Sequence, residues 1–410
     1  MKRYDVIIVG AGHGGAQSAI ALRQLGFSGS VAIIGDEHEL PYERPPLSKE
    51  YLIGEKSFER LLIRPASFWD ERDVTLKLGS PVTNIDSLSH QVRLGNGSVF
   101  GYGQLVWSAG GSPRMVECIG HHASGIHTIR NRQDIDRLLL QIDQAEDVVI
   151  IGAGYIGLEA AAALTKYNKK ITIVETQDRV LARVAGEPIS RFFESEHRTH
   201  GVVIRLSETI DSFETDIGVV SGVRMSSGEI IPAQLVIVGI GIVPNIKPLE
   251  EAGAACSNGV FVDGLCRTNL ADVFAIGDCA AHYNAFASGA EIRLESVQNA
   301  NDQATLVAKQ IAGKDCSSYD AVPWFWSNQY DIRLQTVGLS TGFDHLLIRG
   351  SPETRSFSVI YFRAGRPIAL DCVNNIKDYV QGKALLNKQW DLTDEQWRDV
   401  CTPLKSIAQW

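Results

Sequence analysis

The sequence predicts an α/β protein made of two βαβ units followed by a smaller α+β domain. Two observations carry the first part: a short apolar run leads into Gly-x-Gly-x-x-Gly twice, and each motif precedes helical spacing and a second apolar strand. A third carries the rest, the change near Asp320 to short alternating runs.

In chain order, residues 4–9 (YDVIIV) read as the first strand. Gly10, Gly12 and Gly15 form the turn, 16–25 the helix and 31–34 (VAII) the next strand. The second unit repeats this with 148–151 (VVII), then Gly152, Gly154 and Gly157, a helix over 158–164 and a strand over 171–174 (ITIV). In such a turn one glycine makes the bend, one lets backbone approach a pyrophosphate, and one lets the helix pack on the strand. Free N–H groups and the helix dipole then face the anion. One motif alone is a weak signal; two in the same strand-to-helix context predict two Rossmann-like dinucleotide-binding domains. Beyond Asp320, the runs WFWSNQYDIRLQTVGL, FSVIYF and PIALDCV read as strands, and a helical tail starts at Lys377. Residues 297–311 also carry a helical pattern.

A chain of 410 residues exceeds one ordinary core, so two or three domains are expected. With 44% hydrophobic and 21% charged residues it is globular rather than disordered. A formal net charge of −9, with no block dense in Lys or Arg, argues against nucleic acid or an anionic membrane as partner. Cys118, Cys256, Cys266, Cys279, Cys316, Cys372 and Cys401 show neither close pairing nor metal-ligand spacing, which reads as reduced thiols in a cytoplasmic protein. Met1-Lys2-Arg3 imitates a secretion signal, but only residues 6–9 are apolar before the glycines, so a first strand is expected there. The weakly polar stretch 148–164 contains three glycines and Glu159, a poor membrane span. His13 and the His121-His122 pair lack a neighbouring ligand set and read as loop residues rather than metal ligands.

Glu175 ends the second strand of the second unit. A carboxylate there bonds the ribose hydroxyls of NAD and repels the extra phosphate of NADP, while Arg179 and Arg183 nearby leave NADP open. In the first unit the matching position is Gly35, and the acid follows at Asp36, spaced for a ribose contact. A second dinucleotide in a two-unit chain is most economically a flavin. The strand end Gly277-Asp278 supports this, because an aspartate there can accept a bond from a polyhydroxy chain.

Nearly the whole chain resembles the oxygenase-coupled, NADH-dependent ferredoxin reductases of the putidaredoxin reductase and rubredoxin reductase type, within the glutathione reductase-like flavoproteins. The segments that carry the resemblance are VGAGHGG, PPLSK, LVWSAGGSPR, IGAGYIGLE, VGIGIVPN, AIGDCA, RLESVQNANDQA and PWFWSNQYD. It implies a discontinuous FAD-binding domain over 1–114 and 242–319, an NAD-binding domain over 115–241, and a C-terminal α+β interface domain over 320–410. It implies FAD held by Gly10, Gly12, Gly14, Gly15, Asp36, Arg44, Lys49, Val82, Arg130, Asp278 and Val297. NADH, the substrate, would lie on Gly152, Gly154, Tyr155, Ile156, Gly157, Glu175 and Gly241. The resemblance also implies a catalytic pair, Lys49 and Glu159, beside the flavin N5 atom. Trp324 and Trp326 share one face of a strand and either dock the partner and shorten the electron path, or pack as core or domain-interface filler. The family commonly has alanine where this chain has Gly14, and proline where it has Gln298.

The implied partner is a [2Fe-2S] ferredoxin, feeding a heme-thiolate monooxygenase or a ring-hydroxylating dioxygenase. An acidic partner needs a local basic surface, for which Arg293, Lys309, Lys314, Arg333 and Arg349 are the candidates. Two other readings share the scaffold. A disulfide reductase or NADH oxidase needs a cysteine in the loop after the second strand, where this chain has PYERPPLSK (41–49), two prolines that oppose regular structure, and a lysine. A non-catalytic flavoprotein similar to apoptosis-inducing factor shares the PPLSK corner, but its basic, DNA-contacting surface conflicts with the charge of −9.

Overall fold

The computed structural model describes residues 1–407. By internal packing the chain divides into two compact units. The first comprises Met1–Arg44, Phe58–Ser112 and Val243–Pro323; the second comprises Pro45–Ser57, Pro113–Ile242 and the chain from Trp324 onward.

The first unit is built on a sheet whose strand order is Val74–Lys77, Val31–Ile34, Lys2–Val9, then Val99–Trp107. All of these run parallel, with Val9 opposite both Ile34 and Trp107. Residues 6–9 are buried, as a strand covered on both faces requires, and Val and Ile suit that setting. Val99–Trp107 divides its pairing: its start continues antiparallel into the hairpin of Gln91–Leu94 and Val82–Asp86, and its end pairs in parallel with Val273–Ala275. The parallel register brings the glycine turn after Val9 and the turn after Ala275 to the same end of the sheet.

The first helix is His13–Gln24, three residues earlier than the expected start. Gly12 is its N-cap, so Gly14 and Gly15 lie inside the helix and His13, expected in a loop, opens it. Low helix propensity of glycine hid this start; close packing of the helix on the strand overrides it. The helix Val297–Ile311 matches its expected bounds and packs alongside, with Gln17 Nε2 donating to Thr305 Oγ1 at 3.2 Å.

The second unit holds a five-stranded parallel sheet in the order Val203–Arg205, Lys170–Val174, Asp147–Ile151, Leu235–Val238, Ile126–His127. A helix, Tyr155–Leu164, follows its glycine turn. From Trp324 the chain forms an antiparallel sheet ordered Trp324–Gln329, Ile332–Gly338, Arg366–Val373, Ser356–Arg363, His345–Ser351. The expected helical tail is a set of short helices, Ile376–Gly382, Asp394–Arg398 and Leu404–Ile407. The buried guanidinium of Arg349 ties them down by bonding Asp378 and the carbonyls of Trp397, Asp399 and Thr402. In the PPLSK corner, Pro45–Ser48 make one 3-10 turn where irregular backbone was expected, since fixed proline φ values are compatible with it. Among the described residues no helix is long and apolar enough to cross a membrane.

Candidate active site

The two glycine turns have nearly the same construction. Gly10 has φ +106° and Gly152 φ +99°, backbone that favours glycine. A Cβ on Gly15 would lie 1.8 Å from the Gly10 carbonyl oxygen, and one on Gly157 would lie 2.1 Å from that of Gly152, so helix and strand touch only because both are glycine. The middle glycines face open space: nothing lies within 4 Å of a Cβ on Gly154, and only Arg44 Nε, at 3.8 Å, near one on Gly12. Both are N-caps that supply no side-chain hydrogen bond. By contrast, helix Arg132–Ile142 is closed by the Asn131 capping box and Val297–Ile311 by Ser296. Two long helices therefore present uncapped N–H groups behind a cradle that a single methyl group would obstruct, which fits the pyrophosphates of two dinucleotides. Gly14 plays no such part: its Cβ would meet only Ile276 Cδ1 closely, at 3.3 Å, so alanine nearly fits.

Around the first turn, Asp36 is exposed, and its Oδ1 accepts the Glu37 N–H at 3.1 Å. Glu37 is the organising acid that sequence reasoning missed. It accepts the Tyr42 hydroxyl and the Arg44 guanidinium, each at 2.5 Å, and so holds Arg44 in place. Asp278 lies in the 3-10 turn Gly277–Cys279, whose Asp278 carbonyl accepts Arg293 Nη1 at 2.8 Å. Arg293 also pairs with Glu295 and is only 8% exposed. It supports the Asp278 turn and is not available to a docking patch; nor is Arg349, which is 2% exposed. Val82 opens the strand Val82–Asp86, and Val297 is the first residue of its helix. The neighbouring Cys279 is buried, and burial pushes its thiol up to about 12, so it is an inert packing group. All seven cysteines are free thiols.

In the second unit Glu175 Oε2 accepts the Ala153 N–H at 2.7 Å, and Oε1 accepts the Gln177 N–H at 3.0 Å. The carboxylate thus sits against the glycine turn. Arg179 is spent on Ala182 and Ala185 carbonyls and the Ser190 hydroxyl, so it does not offer its guanidinium to a nucleotide phosphate. Arg183 is exposed, with Nη2 3.9 Å from where a Gly241 Cβ would stand, and Gly241 has φ +101°. Arg130 belongs to this unit, and its N–H donates to Asp134 Oδ2 at 3.0 Å.

Lys49 and Glu159 meet as anticipated, Nζ to Oε2 at 2.6 Å, with side chains 12% and 2% exposed. Two hydroxyls complete the carboxylate: Ser48 Oγ donates to Oε2 at 2.6 Å and Ser327 Oγ to Oε1 at 2.7 Å. The spacing on helix Tyr155–Leu164 explains the arrangement. Tyr155 and Glu159 are one turn apart, and both meet the strand Trp324–Gln329: Tyr155 packs on Phe325 with ring centroids 4.6 Å apart, and Glu159 bonds Ser327. Ile156, between them, is exposed. On the other face of that strand Trp324 and Trp326 place their rings 5.6 Å apart, both half-buried. The rings of His121 and His122 lie 3.7 Å apart, tilted by 41°, and His121 Nδ1 bonds the Cys118 carbonyl.

Two open dinucleotide turns on parallel sheets define a pyridine nucleotide-linked flavoprotein. Residues 4–304 match the family model described as pyridine nucleotide-disulphide oxidoreductase, and 324–408 match the reductase C-terminal domain. The chain is 57% identical to a ferredoxin–NAD(P)(+) reductase of Sphingomonas, covering 98% of this chain and 97% of that one. It is 53% identical to the 5,5'-dehydrodivanillate O-demethylase ferredoxin reductase subunit of a Sphingobium strain, covering 100% and 99%. Its fold superimposes on putidaredoxin reductase in a covalent complex with putidaredoxin with a TM-score of 0.94 at 35% identity, covering 100% and 98%. The chain belongs to the pyridine nucleotide-disulphide oxidoreductases, and within them to the ferredoxin reductases of the putidaredoxin reductase and rubredoxin reductase type. It is an FAD-dependent oxidoreductase that uses a nicotinamide nucleotide.

Proposed function

We propose that this protein is a cytoplasmic NADH:ferredoxin reductase that takes hydride from NADH and delivers electrons singly to a [2Fe-2S] ferredoxin serving a heme-thiolate monooxygenase or ring-hydroxylating dioxygenase. The observation that carries this reading is the corner 41–49. It holds Lys49, bonded to the buried Glu159, and no cysteine, so no thiol relay operates there. FAD, when bound, supplies the exchange between two-electron and one-electron transfer.

The chain's own residues divide the remaining work. N–H groups behind Gly12 and Gly154 take the two pyrophosphates, with Arg44 adding positive charge at the first. Asp36 and Glu175 take the adenosine riboses of FAD and NADH, Asp278 the ribityl chain, and Gly241 the floor beneath the nicotinamide nucleotide. Gly10, Gly15, Val82, Arg130 and Val297 complete the FAD contacts, and Gly152, Tyr155, Ile156 and Gly157 those to NADH. Glu159 orients the Lys49 ammonium for hydride transfer, and the first N–H groups of Val297–Ile311, ahead of the Asn299 N–H that Ser296 caps, would offset negative charge on a bound flavin. Trp324 and Trp326 dock the ferredoxin. Anaerobic turnover with NADH or NADPH and a [2Fe-2S] ferredoxin tests the reading: NADH is expected to reduce the ferredoxin, and equal turnover with NADPH would remove the role given to Glu175.

A further inference from the structure

We infer that His197, acting through Gln329 and Ser327, is a positioning residue for the Glu159 carboxylate; this rests on the reading of Lys49 and Glu159 as the hydride-transfer pair. A single file of hydrogen bonds joins them. Tyr330 Oη lies 2.9 Å from His197 Nδ1, His197 Nε2 lies 2.8 Å from Gln329 Oε1, and Gln329 Nε2 lies 3.1 Å from Ser327 Oγ. Ser327 Oγ then donates to Glu159 Oε1 at 2.7 Å. His197, Gln329, Ser327 and Glu159 are each at most 2% exposed, so water does not compete for these bonds.

Donor and acceptor chemistry gives the file a direction. A carboxylate only accepts, so the Ser327 proton must point at Glu159, and the Ser327 oxygen must accept from an N–H of Gln329. That fixes the Gln329 amide with its carbonyl toward His197, which must then carry its proton on Nε2. Burial drives the His197 ring down to about 4, leaving it neutral, so Nδ1 has a lone pair and accepts the Tyr330 hydroxyl. The opposite arrangement, with His197 protonated on Nδ1, flips the amide and turns the Ser327 proton away from Glu159. The tautomer of His197 and the direction of the bond to Glu159 are therefore one variable. Tyr330 occupies a left-handed position, φ +56°, in the two-residue turn after Gln329, which sets its hydroxyl against the ring. The Gln329 amide also interrupts the file as a proton conductor, so its action is orientation rather than proton transfer.

The test is anaerobic stopped-flow reduction of the FAD-loaded protein by NADH, comparing His197→Leu, Ser327→Ala, Gln329→Met and Glu159→Gln. His197→Leu removes the donor to Gln329 Oε1 and is expected to slow the limiting rate as Ser327→Ala does, and a wild-type rate in it would overturn the role of His197. Ser327→Ala and Gln329→Met are each expected to slow the limiting rate about tenfold with the NADH dissociation constant within about twofold, a loss of orientation rather than of binding. Placed in the Glu159→Gln background, neither should slow the reaction further. Wild-type rates in both variants while Glu159→Gln is slow would overturn the positioning role and leave the Lys49–Glu159 reading standing. So would a full, additive loss in the Glu159→Gln background, which marks a merely structural effect. A wild-type rate in Glu159→Gln would overturn the reading of the pair itself, and this inference with it.

Discussion

Replacing Lys49 by methionine keeps most of the side-chain stem and removes the charge from a 2.6 Å contact whose carboxylate is 2% exposed. Breaking a buried ion pair by deleting one partner costs about 3–5 kcal/mol. Here Ser48 and Ser327 still donate to Glu159, which places the loss at the lower end, about 3 kcal/mol of stability. In the reaction, losing one charge-assisted bond of about 1.5–3 kcal/mol slows flavin reduction by about tenfold to about 150-fold. Thermal unfolding and anaerobic stopped-flow reduction by NADH read the two effects separately. Lys49→Met combined with Glu159→Gln removes both charges and is expected to regain stability without regaining rate. An unchanged rate in Lys49→Met, or a restored rate in the double variant, would refute the reasoning.

Three further outcomes are expected. Glu175→Gln keeps an acceptor for the Ala153 N–H but removes the negative charge, so the preference for NADH over NADPH in kcat/KM should fall by about tenfold; an unaltered ratio would detach Glu175 from the ribose. Trp326→Ala should slow ferredoxin reduction while leaving flavin reduction by NADH at its normal rate, and normal rates in both steps would return Trp326 to plain packing. Burial pushes the Asp371 carboxyl, which accepts the Tyr361 hydroxyl at 2.6 Å, up to about 7 from the ordinary 3.8. A raised folded-state value means that the stability linked to this group is greatest at low pH and lost as pH rises through about 7. Asp371→Asn should then gain on the wild type by roughly 1.4 kcal/mol per pH unit up to about pH 7 and no further, and parallel melting profiles would contradict it.

The sequence was most informative where backbone chemistry leaves few choices. A glycine that must hold φ near +100° beside a neighbouring carbonyl leaves a fixed spacing, and both turns were legible from it. Strand 31–34 was legible as a continuous apolar run, as burial on both faces requires, and helix 297–311 from its periodicity, because it buries one face. Contacts between residues far apart in the chain were not. Ser327 and Gln329 lie on a strand that reads only as alternating, and nothing local reveals that its odd-numbered face meets Glu159 and His197. The basic docking candidates show the same limit: charge is visible in a sequence, but Arg293 and Arg349 are buried by partners 2 to 53 residues away. Glu37 was readable only as half of an acidic pair, since its role depends on Arg44 folding back onto it.

The most direct test of the account is an anaerobic titration of the FAD-loaded protein with NADH in the presence of excess oxidised [2Fe-2S] ferredoxin. Two equivalents of ferredoxin should be reduced for each NADH consumed, since a hydride carries two electrons and the acceptor takes one at a time. NADH consumption that leaves the ferredoxin oxidised, with the electrons passing instead to a disulfide, would contradict it.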